Sequence, residues 1–374
     1  MKFSKIFSTI FLGMLLASCG KSDPIPMFVG TYTDQGSDGI YSFSFDQETG
    51  KAKAQHSAKI SNPSYLVIAP NDSFMYCVSE NKGDEAKGDE AIINAYRVGM
   101  TSGRMALINR VLAHGDDPCH LTTYARNLYV ANYSSGSIGV VGIERDASLF
   151  DNEEVIKFNN GTNVDSVRQK ESHIHQVQKS PDGHFLFAVD LGGDCIYKYE
   201  LRPKFKEGEP FKIDLPKGCG PRHIAFSPDS KHMYVITELS DEVITFDYDA
   251  ESGNVVQKQI VKASDAGASG GAEVEVSPDG KYLYASVRLK DDGVAVFKIN
   301  PDGTQQKTGY QKTGKHPRMF KITPNGKYLL VACKDDNVIQ VYERNAETGE
   351  LTKTENDIKL SHPACIVFGE AVPW

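Results

Sequence analysis

The chain has 374 residues, with 41 Lys and Arg against 49 Asp and Glu and a formal net charge of −8. That balance lacks the basic footprint that binding nucleic acid demands. Length alone predicts two or three domains, an expectation that a repeat in the chain overrides.

In chain order, the first element is a targeting segment. Lys2 and Lys5 flank an apolar run over 6–16, too short for a membrane-spanning helix of about 20 residues. Leu16-Ala17-Ser18-Cys19 resembles a bacterial lipoprotein cleavage box. The resemblance implies a signal peptide over 1–19, lipidation of Cys19, a short tether over 20–26 and a folded domain over 27–374. The expected location is the cell envelope, anchored to a bacterial membrane by acyl chains alone and facing the periplasm or the exterior.

Strand patterns then run from Phe28 to Phe368. The clearest unit reads as three short strands, 175–179, 184–189 and 195–200, with a turn at Ser180-Pro181-Asp182-Gly183. Proline fits the second position of a type I turn and glycine the fourth. The unit recurs at Ser227-Pro228-Asp229-Ser230, Ser277-Pro278-Asp279-Gly280 and Thr323-Pro324-Asn325-Gly326, with proline-to-proline steps of 47, 50 and 46 residues. A weaker copy turns at Ala69-Pro70-Asn71-Asp72. Another lacks the turn prolines and reads Pro118-Cys119-His120-Leu121 followed by Leu128-Tyr129-Val130-Ala131.

Such a period, with about four short strands per unit, predicts an all-β, seven-bladed propeller with four antiparallel strands per blade. Phe28-Val29-Gly30-Thr31-Tyr32 resembles a second strand without a first, and residues 362–368 a first strand with nothing after it. The C-terminal strand is therefore expected to close the first blade, which removes an exposed edge. Two insertions interrupt the period: a charged loop over 82–90 and a connector over 150–172 that carries Val167-Arg168-Gln169-Lys170. Besides Cys19, the six cysteines lack paired spacing and read as small buried residues rather than disulfides.

Aligning the copies gathers their polar residues. The first-strand start reads Ala364, Ser64, Cys119, His175, Arg222, Ala272 and Arg318 around the ring; the next position reads Cys365, Tyr65, His120, Gln176, His223, Glu273 and Met319. The ends of the second strands read Tyr32, Glu80, Tyr133, Asp190, Glu238, Arg288 and Lys334. First and second strands are antiparallel, so all three rings are expected at one mouth of the central channel. Arginines interleaved with histidines and carboxylates suit an anionic, oxygen-rich small molecule. They also disfavour a metal cation, and no cofactor is expected. Glu273 is expected either to meet the substrate or to pair with Arg288, and Arg222 and Glu238 either to serve the chemistry or to form an ion pair within one blade.

The four turn-bearing segments, running from Ser172-His173-Ile174-His175-Gln176 to His316-Pro317-Arg318-Met319, resemble the motifs of the seven-bladed propeller lactonases. That family includes the propeller-type 6-phosphogluconolactonases and the fungal carboxy-muconate cyclases, and the resemblance spans 28–368. It implies lactone-ring chemistry and a site containing His173, His175, Arg222, Glu238, Arg288 and Arg318. Combined with the rings, it gives His175, Arg222 and Glu238 as catalytic residues, with His175 or Glu238 the base and Arg222 the oxyanion partner. His173, His223, Glu273, Arg288, Arg318 and His120 are expected to bind substrate. The expected partner is a small anionic sugar lactone, met by a monomer. The competing reading is a lipid-anchored propeller that binds an anionic carbohydrate or a protein without turnover.

Overall fold

The computed structural model describes residues 23–70, 73–83, 90–201 and 210–369. Expectations for Cys19, the signal peptide and most of the charged loop lie outside them. Seven antiparallel sheets follow one another along the chain, each with four strands in sequence order from the inside out, and blade 7 with an added short outer strand. Blade 1 is the exception in order: its innermost strand is Pro363–Phe368, paired to Ile25–Thr31. The closure expected from the sequence is therefore present. Ile25 and Pro26, expected in the tether, belong to this blade, because Ile25 pairs with Phe45 and is buried.

Each inner strand lies against the inner strand of the next blade, and the seventh returns to the first. The core is correspondingly divided into seven wedges between neighbouring blades. Tyr129, Ile138 and Val140 of blade 3 meet Val177, Leu186 and Tyr197 of blade 4 in one of them. Phe28 and Ile40 of blade 1 meet Leu66, Met75 and Cys77 of blade 2 in another. All six described cysteines are free and buried.

The repeated turn has one chemistry. Ser180 Oγ donates to Asp182 and accepts the Phe185 N–H at 3.0 Å. Ser227, Ser277 and Thr323 accept from His232, Tyr282 and Tyr328 in the same way, each at 3.0 Å. Blade 3 replaces this device with a two-residue turn, Tyr124 pairing Asn127 across Ala125, whose φ is 53°.

The connector differs from its expected extent. Residues Leu149–Lys157 form the outer strand of blade 3, paired across a register shift to Ser137–Ile143. The charged Asp-Asn-Glu-Glu run over 151–154 hides the strand, since an outer strand faces solvent and needs no apolar alternation. The true connector is 158–173. It is tied down by Gln169, whose side chain donates to the Leu191 carbonyl at 3.0 Å and to Asp194 at 2.6 Å.

Candidate functional site at the mouth of the ring

A strict strand sends adjacent side chains to opposite faces. In six blades the inner strand bulges near its start, and the register skips Ala364, Cys119, His175, Arg222, Arg318 and, in blade 6, both Ala272 and Glu273. An unpaired extra residue re-aims its side chain. Successive residues then line one cavity: Ser64 with Tyr65, Arg222 with His223, Arg318 with Met319, joined by Cys119, His175, Glu273 and Ala364. The free volume among them is ≈ 10 Å³, about what one water requires.

Loops leading into the bulges are held by carboxylates from the preceding blade. Asp241 accepts N–H groups from Ala268, Ser269, Gly270 and Gly271 at 2.7–3.0 Å. Asp194 does the same for Gly218 and Gly220, at 2.6 and 2.8 Å, just before Arg222. Glycine is required at 271, where a Cβ would stand 2.1 Å from the Thr237 carbonyl oxygen.

Glu238, at the end of a second strand, gathers three guanidiniums. Arg168 Nη2 donates to Oε1 at 2.6 Å; Arg288 Nη2 and Arg222 Nε stand 3.1 and 3.2 Å from Oε2. Burial pushes the carboxyl up, but Arg288, Arg222 and Arg168 outweigh it and hold it at about 2. A carboxylate this acidic is a poor base near neutrality, so the structure gives Glu238 the geometry of a counter-ion. Arg222 is 2 % exposed; burial, with Arg288 and Arg318 nearby, brings it down to about 10, so it stays charged at neutral pH.

The histidines divide. His223 Nδ1 lies 3.0 and 3.1 Å from the two carboxylate oxygens of Glu273. Glu273 thus pairs with His223 and not with Arg288; burial pushes it up to about 7 against the pull of Arg222. His175 stands edge-on to His223 at 5.1 Å and lines the cavity. His120 stacks on Tyr65 at 3.9 Å and lies edge-on to His223 at 5.5 Å. Burial, reinforced by Arg222, drives His175 and His223 well below the usual imidazole range; burial, with His223 beside it, does the same to His120. His173 faces elsewhere: its Nδ1 meets the Tyr133 carbonyl at 3.0 Å and its ring stacks on Tyr133 at 4.4 Å, so it props that tyrosine from behind.

Arg318 lies over the Tyr32 ring at 5.1 Å and meets Glu80 at 3.3 Å, while the Tyr32 hydroxyl donates to Glu80 at 2.9 Å. Arg288 places its remaining donors on the Gly270 and Gly271 carbonyls and beside His316. Two members of the outermost sequence ring stay out of this set. Asp190 accepts the His173 and Gly193 N–H groups, and Lys334 pairs with Asp335.

Arg168 was not singled out by the sequence. The connector that carries it was, through its length and its Val-Arg-Gln-Lys run. Arg168 also donates to the Tyr133 hydroxyl at 2.9 Å and is 37 % exposed, against 14 % or less for Arg222, Arg288 and Arg318. It is the solvent-facing guanidinium of the cluster. Among the described residues no group of three or more His, Cys, Asp or Glu is placed to hold a metal ion.

Known proteins share this architecture. The family model described as a seven-bladed β-propeller lactonase matches residues 26–368. The 6-phosphogluconolactonase of Bacillus subtilis is 32 % identical over 352 residues, 91 % of this chain and 97 % of that one. A crystal structure of a candidate 6-phosphogluconolactonase from Bacteroides fragilis superposes with a TM-score of 0.89 at 42 % identity, covering 94 % of this chain and 99 % of its own. The periplasmic gluconolactonase of Pseudomonas aeruginosa gives 0.86 at 31 % identity, covering 93 % and 99 %. This chain belongs to the seven-bladed β-propeller lactonase family.

Proposed function

We propose that the protein hydrolyses the lactone of a sugar acid, with the ester carbonyl presented to the cavity at the mouth of the ring. The observation that carries the reading is the convergence of Arg222 and Arg318 with His175, His223 and Glu273 around a space for a single water. A lactone is far larger than that space. In this reading it sits outside the cavity, toward the solvent-facing Arg168, with its carbonyl directed inward. Arg222 uses one N–H on the Ala272 carbonyl and Nε beside Glu238, leaving donors for the oxyanion of the tetrahedral intermediate. Arg288 has most of its donors on Glu238, Gly270, Gly271 and His316, so an anionic group on the substrate falls chiefly to Arg318 and Arg168.

Names of relatives support a gluconolactone, phosphorylated or not. The periplasmic relative supports an exported protein, and the cleavage-box resemblance at 16–19 supports a lipid on Cys19. Such a protein would meet the unphosphorylated lactone, which carries no charge and would meet Arg318 and Arg168 through its hydroxyls. A pH-stat assay of residues 20–374 against gluconolactone, its 6-phosphate and uronic lactones tests the reading. Hydrolysis above background is expected with at least one of them, and Arg222→Ala should lower kcat about 100-fold, the scale for losing an oxyanion donor. No hydrolysis across the panel, with ligand-dependent thermal shifts instead, would favour the binding propeller.

A further inference from the structure

Of the four histidines in this region, His223 has a carboxylate on one ring nitrogen and nothing on the other. Both oxygens of Glu273 face Nδ1 from the inner strand of the next blade. Nε2 has no hydrogen-bond partner among the described residues, although the residue is only 4 % exposed, and the ring lines the water-sized cavity. His175 and His120 have no carboxylate, and the Nδ1 of His173 is used by the Tyr133 carbonyl. Glu273 is itself fixed, with Oε1 accepting the Val274 N–H at 3.0 Å.

We propose that His223, oriented by Glu273, is the general base that activates the hydrolytic water. The assignment rests on the lactonase reading and moves the base from His175 or Glu238 to this pair. An ionised Glu273 accepts the Nδ1–H, which leaves the Nε2 lone pair free on a ring that lines the cavity, where a small ring movement would bring it to the water. The water oxygen forms a bond to the lactone carbonyl carbon while its proton passes to Nε2. The carbonyl oxygen becomes an oxyanion facing Arg222. When the intermediate collapses, the bond from the carbonyl carbon to the ring oxygen breaks. The ring oxygen leaves as a hydroxyl, carrying the proton returned from Nε2, and the product is the open hydroxy acid. Glu273 acts through His223 and is a positioning residue.

The charged and titratable groups facing the pair are Arg222 on the same strand as His223, Glu275 on the same strand as Glu273, Glu238 of blade 5, His175 and His120 from blades 4 and 3, Arg288, Arg318 and Lys321 from blades 6 and 7, and Tyr65 and Cys365 from blades 2 and 1. Burial and the guanidiniums keep His223 unprotonated at rest, and the ionisation of Glu273 near 7 places a negative charge against Nδ1–H that raises the basicity of Nε2 for the transfer. The rate is therefore expected to rise with pH through about 7.

The test measures kcat and KM against pH for the wild type, His223→Gln, Glu273→Gln and Glu273→Asp on a lactone that the wild type hydrolyses. It adds ¹⁵N NMR of the imidazoles, which reports the tautomer without turnover. His223→Gln should lose about 100-fold or more in kcat with KM nearly unchanged, the scale of general-base catalysis. Glu273→Gln should lose the rise near pH 7, and Glu273→Asp should fall between it and the wild type. Above pH 7 the Nδ1–H form of His223 should dominate in the wild type, be partly kept in Glu273→Asp and be lost in Glu273→Gln. An active wild type with His223→Gln within threefold of it overturns the base role and leaves the lactonase reading standing. So does an Nε2–H tautomer in the wild type. A wild type inactive on every lactone overturns both, and the tautomer still shows whether the pair is built as described.

Discussion

Glu238 shows how burial and charge divide roles among side chains. Three guanidiniums share one buried carboxylate, and removing its charge strands all of them. Glu238→Gln should therefore destabilise the fold by about 3–5 kcal/mol, the scale for breaking a buried ion pair. The pH dependence follows from the sign of the shift. The folded carboxyl sits at about 2, below its ordinary value of 4.5, so its contribution is present above 4.5 and is lost as pH falls toward 2. Wild-type and variant melting temperatures should differ most near pH 7, draw together below pH 4.5 and converge only near pH 2; equal values at pH 7 would count against the network. Glu273 runs the other way: raised to about 7, it contributes fully below 4.5 and loses that contribution as pH rises through 7. Both carboxylates were legible as site residues because each occupies a repeat position, a second-strand end for Glu238 and a first-strand start for Glu273, that the other blades fill with unlike residues. Their difference was not legible, because it depends on Arg168 arriving from another blade and on His223 turning toward Glu273.

The decisive elements at the next scale are the bulge and the connector. Sequence alignment placed His175, Arg222 and Arg318 in one ring, yet period-2 reasoning would send each neighbouring residue to the opposite face. The skipped pairing in the inner strand removes that alternation. Nothing in the residue types announces it; in blades 5 and 6 the lead-in loops that present the bulge are held on Asp194 and Asp241, contacts made only in the folded ring. The connector brings Arg168 over Glu238 and Tyr133, where a substrate at the proposed site would displace or join it. Losing one charge-assisted hydrogen bond costs about 1.5–3 kcal/mol. Arg168→Ala should accordingly raise KM for an anionic lactone by about tenfold or more and change kcat little, with Arg168→Lys intermediate. The effect should be larger for the 6-phosphate if the phosphate is what Arg168 meets. An unchanged KM for every lactone would remove Arg168 from substrate binding.

At the scale of the whole molecule, the ring is a chain of wedges in which no blade has a core of its own. The fold was legible because the turn motif repeats at a near-constant step, and because the two chain ends each lacked what the other supplied. Closure does more than hide an edge: Ala364 lines the cavity, Cys365 and Ile366 are buried, and the Tyr32 N–H donates to the His362 carbonyl beside the Tyr32–Glu80–Arg318 group. Ending the chain after Ser361 would expose the inner edge of Ile25–Thr31 and open the wedges that Ile366 and Cys365 fill. Such an exposed, apolar strand edge is a template for intermolecular pairing. The truncated chain should lose cooperative melting by circular dichroism and elute as soluble aggregates, while a chain ending after Gly369 should melt like the full domain. Cooperative melting of the truncated chain at the wild-type temperature would mean that the closing strand is dispensable, and that the blades hold the mouth together without it.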